Sequence, residues 1–157
     1  MIAVGETLPD HTFMLNQNGE MSQPTTDDLF AGKKVAMFAV PGAFTPTCSM
    51  AHLPGFVEKA DELKAKGIES IICISVNDAF VMSAWGLSAN ADAITMLADG
   101  DGEFNSAIGL AIPTGSFGGT RSARYAMVVE DKVVKHLAID EAGQFDVSSA
   151  EAVLKAL

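Results

Sequence analysis

The stretch KKVAMFAVPGAFTPTCSMAHLPGFVEKADELKAKG, residues 33–67, combines three local patterns. Residues 33–40 are a continuous apolar run that ends at Pro41, which is typical of a strand buried on both faces. In residues 50–67 the apolar side chains recur three or four positions apart, and this spacing predicts a helix with one buried side. The loop 41–49 between them therefore lies just beyond the carboxyl end of a buried strand.

The alternation of strands and helices continues along the chain. Residues 68–76 and 93–99 predict two further buried strands, and Asn77 and Asp78 offer N-caps to a helix between them. The apolar residues placed on one side of that helix are Phe80, Val81, Ala84, Trp85 and Leu87. Strands and helices that alternate in this way predict right-handed crossovers and a mainly parallel core.

The C-terminal part predicts a different arrangement. We expect an irregular glycine-rich stretch over 100–120, and then a hairpin over 124–139 that turns near Glu130 and Asp131. Residues 148–157 predict a closing helix, capped by Ser148 or Ser149. The predicted fold class is α/β with a mixed central sheet flanked by helices. Because the composition does not change along the chain, residues 1–157 are expected to form a single domain.

Composition and charge narrow the possible partners. The 157 residues carry a net charge of -10, which repels nucleic-acid phosphates and anionic lipid surfaces, so neither is expected as a partner. The N-terminus lacks a signal-peptide pattern, and no apolar run approaches the roughly 20 residues that span a bilayer. We expect a cytoplasmic protein whose two cysteines are reduced thiols. No cysteine or histidine spacing predicts a metal site, and no motif predicts a cofactor.

Cys48 is the most informative residue of the loop after the first strand. At the N-terminus of a helix, free backbone N–H groups and the helix dipole favour a thiolate over a thiol. Pro41 and Pro46 stiffen the loop, Gly42 permits a close backbone approach, and Thr45 places a hydroxyl three residues before the sulfur. This set of residues could hold donors around an incoming oxygen atom. A small, inert, buried cysteine remains open as the alternative.

Two residues of the following helix bear on this loop. Pro54 removes a backbone hydrogen bond well inside the predicted helix, so it is expected to kink the helix and separate its first turn. His52 follows Cys48 by one helical turn. It could tune the cysteine, or it could simply lie at the helix surface or line the pocket.

The loop and its surroundings resemble a known family. PGAFTPTCS (41–49) is similar to the active-site motif of the peroxiredoxins, and HLPGFVEKADELKAKG, SVNDAFVMSAWG and RSARYAMVVEDKVV resemble their atypical type II, or type five, subfamily. The resemblance spans almost the whole chain. It implies a thioredoxin-like fold and a cofactor-free, thiol-dependent peroxidase that reduces hydrogen peroxide and organic hydroperoxides in antioxidant defence.

The resemblance also implies roles for individual residues. Cys48 would be the peroxidatic cysteine, which becomes a sulfenic acid as it breaks the O–O bond, and Arg124 would contact both the sulfur and the peroxide. Thr45 would share in catalysis and shape the pocket. The substrate-binding residues would be Pro41, Gly42 and Phe44, and a mouth for organic hydroperoxides is predicted from Phe44, Phe80 and Phe117.

Cys73 permits two interpretations. It lies within the apolar run IESIICISV, where a buried inert thiol is expected. Alternatively it is a resolving cysteine, because plant members of the subfamily resemble this chain in having a second cysteine here, whereas the animal-type resolving cysteine near the C-terminus is missing. Our hypothesis is that an external thiol, either glutathione with glutaredoxin or thioredoxin, attacks the Cys48 sulfenic acid. The resemblance further implies a homodimer with its interface near the active site.

Two other classes of function compete with the peroxidase as interpretations of the sequence. A thiol–disulfide oxidoreductase on the same fold normally has two cysteines spaced Cys-X-X-Cys, but residue 45 is threonine. A redox-inert binding module that kept the fold would have no need of Cys48, Thr45 and Arg124 together. The peroxidase is therefore the predicted function.

Overall fold

The structure, a computed structural model, describes all 157 residues. The strands are β1 (Leu15–Gln17), β2 (Glu20–Ser22), β3 (Lys34–Val40), β4 (Ser70–Ser75), β5 (Ile94–Ala98), β6 (Ala111–Pro113), β7 (Thr120–Ser122), β8 (Tyr125–Glu130) and β9 (Val133–Ile139). The α-helices are α1 (Thr26–Phe30), α2 (Leu53–Ala65), α3 (Ala79–Ser88), α4 (Glu103–Ala107) and α5 (Ala150–Ala156). A π-helical turn (Cys48–His52) precedes α2, and a 3-10 turn (Gly115–Phe117) precedes β7. No helix is both long enough and apolar enough to cross a membrane.

The central sheet has five strands in the order β5-β4-β3-β8-β9. β3 pairs in parallel with β4 and antiparallel with β8, β4 pairs in parallel with β5, and β8 pairs antiparallel with β9. The predicted mixed sheet is therefore confirmed. Because β8 runs opposite to β3, the start of β8 and the end of β3 meet at one edge of the sheet, beside the end of β4.

Alternate side chains of the buried strands enter two separate layers. Ala36, Phe38 and Val40 of β3 pack with Cys73 of β4 beneath α2, α3 and α5. Neighbouring positions such as Met37 face the opposite side, which α1, α4 and the N-terminal segment cover. Both faces of β3 are thus buried, which is why its sequence is apolar throughout.

The C-terminal hairpin and closing helix agree with the prediction. Asp131 and Lys132 connect β8 to β9 with φ angles of 47° and 68°. Two consecutive left-handed residues are what a tight two-residue hairpin turn requires. Ser149 rather than Ser148 caps α5, and its hydroxyl oxygen accepts a hydrogen bond from the Ala152 N–H at 3.1 Å.

Two predictions about secondary structure were wrong. The glycine-rich stretch 100–120 contains α4, β6, the 3-10 turn and the beginning of β7, all too short for a periodic sequence signal. On α3, Trp85 is buried but Phe80 and Leu87 are 63% and 69% exposed, so its apolar residues do not share one buried side. Since α3 is apolar on most of its surface, the spacing of its residues could not identify the buried face.

Candidate active site

Cys48 begins the π-helical turn, and its side chain is fully buried. The Leu53 N–H donates to the Cys48 carbonyl across five residues. Pro54 has no N–H for the Met50 carbonyl four residues earlier, and this is where the wider turn passes into the α-helix. Pro54 is the second residue of α2, and it lies inside the continuous helical stretch 46–65, as predicted. The first turn does differ in geometry from the rest of the helix.

The loop before Cys48 is held at the sheet edge by polar contacts. The Thr45 hydroxyl donates to the Gly42 carbonyl at 2.7 Å, and the Ala43 N–H donates to Asn77 Oδ1 at 3.0 Å. Asn77 Oδ1 also accepts from the Ser75 hydroxyl at the end of β4. A Cβ atom on residue 42 would lie 3.0 Å from Thr45 Cγ2, so glycine lets the loop close tightly. Asp78, not Asn77, caps α3.

Arg124 lies immediately before β8 and reaches across to Cys48. Its Nη2 donates a hydrogen bond to Cys48 Sγ at 3.1 Å, and its Nη1 contacts His52 Nδ1 at 2.8 Å. The guanidinium also lies 5.8 Å from the centre of the Phe145 ring. Arg124 takes part in no salt bridge. The sulfur and the guanidinium are therefore brought together although 76 positions separate the two residues.

His52 is fully buried and lines neither the surface nor the cavity described below. Its Nε2 is 2.8 Å from the Ser148 carbonyl oxygen. Burial first, and then the positive charge of Arg124, lower the pKa of His52 to about 3, against smaller opposing effects of Ser148 and Asp140. The imidazole is therefore neutral at physiological pH. The spacing between Cys48 and His52 signalled a contact with the site, but not the contact with Ser148.

Asp140 organises the segment after β9. Its carboxylate accepts hydrogen bonds from the N–H groups of Asp146, Val147 and Ser148, and from the Ser148 hydroxyl. Partial burial alone would raise the pKa of Asp140, but these hydrogen bonds outweigh burial and hold the pKa below its usual value. No sequence pattern indicates this arrangement, because aspartate and serine are common in surface loops.

A cavity of about 630 Å³ opens beside Arg124. Its lining comprises Pro41, Thr45, Pro46, Thr47, Ile112, Phe117, Ala123, Arg124, Ile139, Asp140, Glu141, Ala142, Gly143 and Gln144. Pro41, Thr45 and Arg124 thus share one cavity, together with Phe117. Gly42, Phe44 and Phe80 lie outside the lining, and so does the fully buried Cys48.

Phe44 is turned toward α3. It has a left-handed φ of 63°, is 55% exposed, and its ring centre lies 6.4 Å from that of Trp85. The Trp85 Nε1–H donates to the Ser49 hydroxyl at 3.0 Å. The loop and the π-helical turn are therefore both attached to α3 through Trp85.

Cys73 lies in the interior of β4 and is also fully buried. It faces the same layer as Cys48, and both cysteines are free thiols. Burial first, and then the nearby Cys48, raise the pKa of the Cys73 thiol well above its usual value, although Arg124 acts in the opposite direction. Cys73 is therefore a neutral thiol.

Comparisons with known proteins agree with this geometry. The chain matches the Redoxin family over residues 3–154. It is 52% identical to chloroplastic Peroxiredoxin-2E of Arabidopsis thaliana over 99% of this chain and 69% of the relative, and 48% identical to Peroxiredoxin-2B of that plant over 99% and 98%. The crystal structure of reduced Prx3 from Vibrio vulnificus in complex with hydrogen peroxide superposes with a TM-score of 0.97, at 54% identity and 99% coverage of both chains.

These similarities extend over nearly the whole chain and are far above the level at which only a fold is shared. They favour the predicted peroxidase over a thiol–disulfide oxidoreductase or a redox-inert binding module. The chain belongs to the Redoxin family as a peroxiredoxin of the type II, or type five, group, and it is a thiol-dependent peroxidase with a thioredoxin-like fold.

Proposed function

We propose that Cys48 is the thiol that the peroxide oxidises, and that Arg124 and Thr45 bind the peroxide beside it. The hydrogen bond of 3.1 Å from Arg124 Nη2 to Cys48 Sγ is the observation that carries this proposal. A guanidinium stabilises negative charge on the sulfur and offers further N–H groups to the substrate. Cys73 has no such partner.

In the proposed reaction the Cys48 thiolate attacks one oxygen of the peroxide. An S–O bond forms, the O–O bond breaks, and the departing oxygen takes a proton and leaves as water or an alcohol. Cysteine is thereby oxidised to a sulfenic acid, and the peroxide is reduced by two electrons. Negative charge moves from sulfur to the departing oxygen, so donors fixed near both atoms stabilise the transition state.

Thr45 supports this reaction through its orientation. Its hydroxyl proton is used in the hydrogen bond to the Gly42 carbonyl at 2.7 Å, which leaves the lone pairs of Oγ1 to accept from a peroxide O–H. Pro41 and Gly42 hold the loop that carries Thr45. An accepting oxygen on one side and the Arg124 donors on the other would orient the peroxide for attack.

The sulfenic acid is recycled by an external thiol, which is glutathione with glutaredoxin or thioredoxin. A first thiol condenses with the sulfenic acid, releases water and leaves a mixed disulfide on Cys48; a second thiol then reduces that disulfide. The burial of Cys73 within β4 supports this proposal, because a bond to Cys48 would require the π-helical turn to unwind. Two free thiols also fit the reducing cytoplasm.

The decisive experiment is the intact mass of the reduced protein after one equivalent of hydrogen peroxide, with peptide mapping. We expect one added oxygen on Cys48, unchanged in Cys73→Ala and absent in Cys48→Ser. Loss of two hydrogens with Cys48 joined to Cys73 would overturn the external recycling. No rapid oxidation of Cys48 would overturn its proposed role.

The apolar part of the cavity supports a substrate range that includes organic hydroperoxides. Ile112, Phe117, Ala123 and Ile139 line it, and its volume of about 630 Å³ exceeds what hydrogen peroxide needs. Phe117→Ala should lower the rate with cumene hydroperoxide more than the rate with hydrogen peroxide. Equal effects on both substrates would contradict this assignment.

We also propose a homodimer whose interface includes the exposed apolar residues around α3. Phe44, Met50, Phe80 and Leu87 are 55%, 81%, 63% and 69% exposed, and exposed apolar side chains that form a patch mark an interaction surface. They lie on the active-site loop, the π-helical turn and α3, which Trp85 connects. Sedimentation of the reduced protein should give dimers, and Phe80→Glu should shift them toward monomers; a wild-type monomer would overturn the proposal.

A further inference from the structure

The buried imidazole of His52 connects the active-site arginine to the segment after β9. Nδ1 lies 2.8 Å from Arg124 Nη1, and Nε2 lies 2.8 Å from the Ser148 carbonyl oxygen. A guanidinium can only donate and a carbonyl can only accept. One neutral tautomer, with its proton on Nε2 and a lone pair on Nδ1, therefore satisfies both contacts.

We propose that His52 is a positioning residue, which orients the Arg124 guanidinium toward Cys48 and the incoming peroxide by accepting a hydrogen bond at Nδ1. The proposal rests on the proposed role of Cys48. His52 itself touches neither the substrate nor the reacting sulfur in this scheme. It acts through Arg124.

Two fixed points determine the orientation of a planar guanidinium. His52 holds Nη1, so Nη2 is directed to Cys48 Sγ at 3.1 Å. Of the five N–H groups of Arg124, these contacts use two and leave three for which the protein supplies no acceptor. Those three are available to the oxygens of the peroxide.

A neutral acceptor suits this position better than a carboxylate does. A carboxylate in place of His52 would form an ion pair with Arg124 and weaken the positive field at the sulfur and the departing oxygen. Arg124 takes part in no salt bridge, so its charge remains available to the reaction. The imidazole therefore fixes the direction of the guanidinium without neutralising it.

Asp140, a carboxylate of this region, is kept from that pairing. Its oxygens accept from three backbone N–H groups and from the Ser148 hydroxyl. The same bonds fix the Ser148 backbone, whose carbonyl holds His52 Nε2. A continuous series of contacts therefore runs from Asp140 through Ser148, His52 and Arg124 to Cys48.

Packing alone is the competing explanation for a buried histidine. The ring centre of His52 lies 4.9 Å from that of Phe38, 5.0 Å from Phe145 and 5.7 Å from Phe56. His52→Phe keeps an aromatic ring in this cluster but has no acceptor. His52→Asn loses the ring but keeps an oxygen near the place of Nδ1, whereas His52→Gln keeps a donor near the place of Nε2.

The test compares these three variants with wild type in the second-order rate constant for oxidation of Cys48 by hydrogen peroxide. Stopped-flow fluorescence of Trp85 follows the reaction, and thermal unfolding of each variant is recorded in parallel. We expect the rate constants of His52→Phe and His52→Gln to be lower than that of wild type on the order of tenfold, because a misdirected Arg124 donor loses much of its effect. His52→Asn should stay within about threefold of wild type, even if it unfolds at a lower temperature than His52→Phe.

Other outcomes would overturn the proposal. If the rate constant of His52→Gln equals or exceeds that of His52→Asn, Nδ1 does not position Arg124. The same conclusion follows if the rate constants of all three variants match that of wild type, or if all three are lowered equally. Oxidation of wild-type protein at a site other than Cys48 would instead refute the proposed function.

Nitrogen-15 NMR of the folded wild type gives a measurement that needs no variant. We expect His52 to carry its proton on Nε2 and to have an unprotonated, hydrogen-bonded Nδ1 at neutral pH. A proton on Nδ1 would overturn the proposal, whatever the variants do.

Discussion

Cys48 and Cys73 are equally buried, yet their polar contacts and their places in the fold differ. Both are fully inaccessible and belong to the same apolar layer beneath α2. Cys48 starts a helical turn at the sheet edge and accepts a hydrogen bond from Arg124, whereas Cys73 lies mid-strand between Phe38 and Met96 in register. With Cys48 as the proposed reacting thiol, burial alone does not make a cysteine inert. Its position in the fold and its cationic partner decide whether it can react.

The largest effect is expected from removal of the partnered sulfur. Cys48→Ser keeps the side-chain size but replaces an ionisable thiol with an alcohol, which cannot form a sulfenic acid. Peroxide consumption with a thiol reductant should fall at least about 1,000-fold, as is usual when a catalytic nucleophile is lost. Residual turnover of more than a few per cent of wild type would mean that Cys73 or another group also reduces peroxide.

The next largest effect concerns the arginine that distinguishes the two cysteines. Arg124→Lys retains the charge but loses the planar fork that contacts Cys48 and His52 together. The second-order rate constant with hydrogen peroxide should fall about 100-fold. Arg121→Lys is the matched control, since Arg121 donates to the carbonyls of Gly118 and Val76 and contacts neither cysteine. Equal losses in the two variants would show that the effect comes from folding and not from the site.

The difference between the two cysteines could be predicted from the sequence only in part. The Cys48 loop, β3 and β4 were predicted from local patterns, because a buried strand that ends at proline and glycine leaves a clear signal within ten residues. The partnership with Arg124 came from family resemblance. The contact of His52 with Ser148 spans 96 positions and depends on how β9 returns to the sheet edge, which no local pattern encodes. The exposed side of α3 was missed for a related reason: only tertiary packing identifies it.

A smaller effect is expected from pH, which should change the stability of the folded protein through His52, near Cys48. The pKa of His52 is about 3 in the folded protein, whereas an ordinary histidine titrates near 6.5. Between these values the unfolded chain binds a proton that the folded chain does not, so stability falls as pH falls. His52 lowers the free energy of unfolding by at most about 1.4 kcal/mol for each pH unit of acidification, and this effect vanishes above pH ~7.

Urea unfolding of wild type and His52→Asn between pH 7 and pH 4.5 measures this contribution. Within that range the wild type should lose stability more steeply than the variant. Asp140, whose pKa is lowered by its hydrogen bonds, loses its stabilising effect only at lower pH, outside this window. Parallel curves for the two proteins would mean that folded His52 binds a proton as easily as unfolded His52 does.

The smallest effect on catalysis should come from Cys73. Cys73→Ala removes one buried sulfur atom from the interior of β4, so the rate with hydrogen peroxide and an external thiol should stay within about twofold of wild type. Unfolding should become easier by roughly 1–2 kcal/mol because a small cavity remains. Cys73→Ser should be less stable still, since no acceptor is placed there for its hydroxyl.

If Cys48 in the Cys73→Ala variant were instead oxidised normally, but the variant failed to turn over with thioredoxin, Cys73 would be the resolving thiol. A fully buried strand residue would then have to meet Cys48 after the π-helical turn opens, and the contrast between the two cysteines would hold only for the reduced protein.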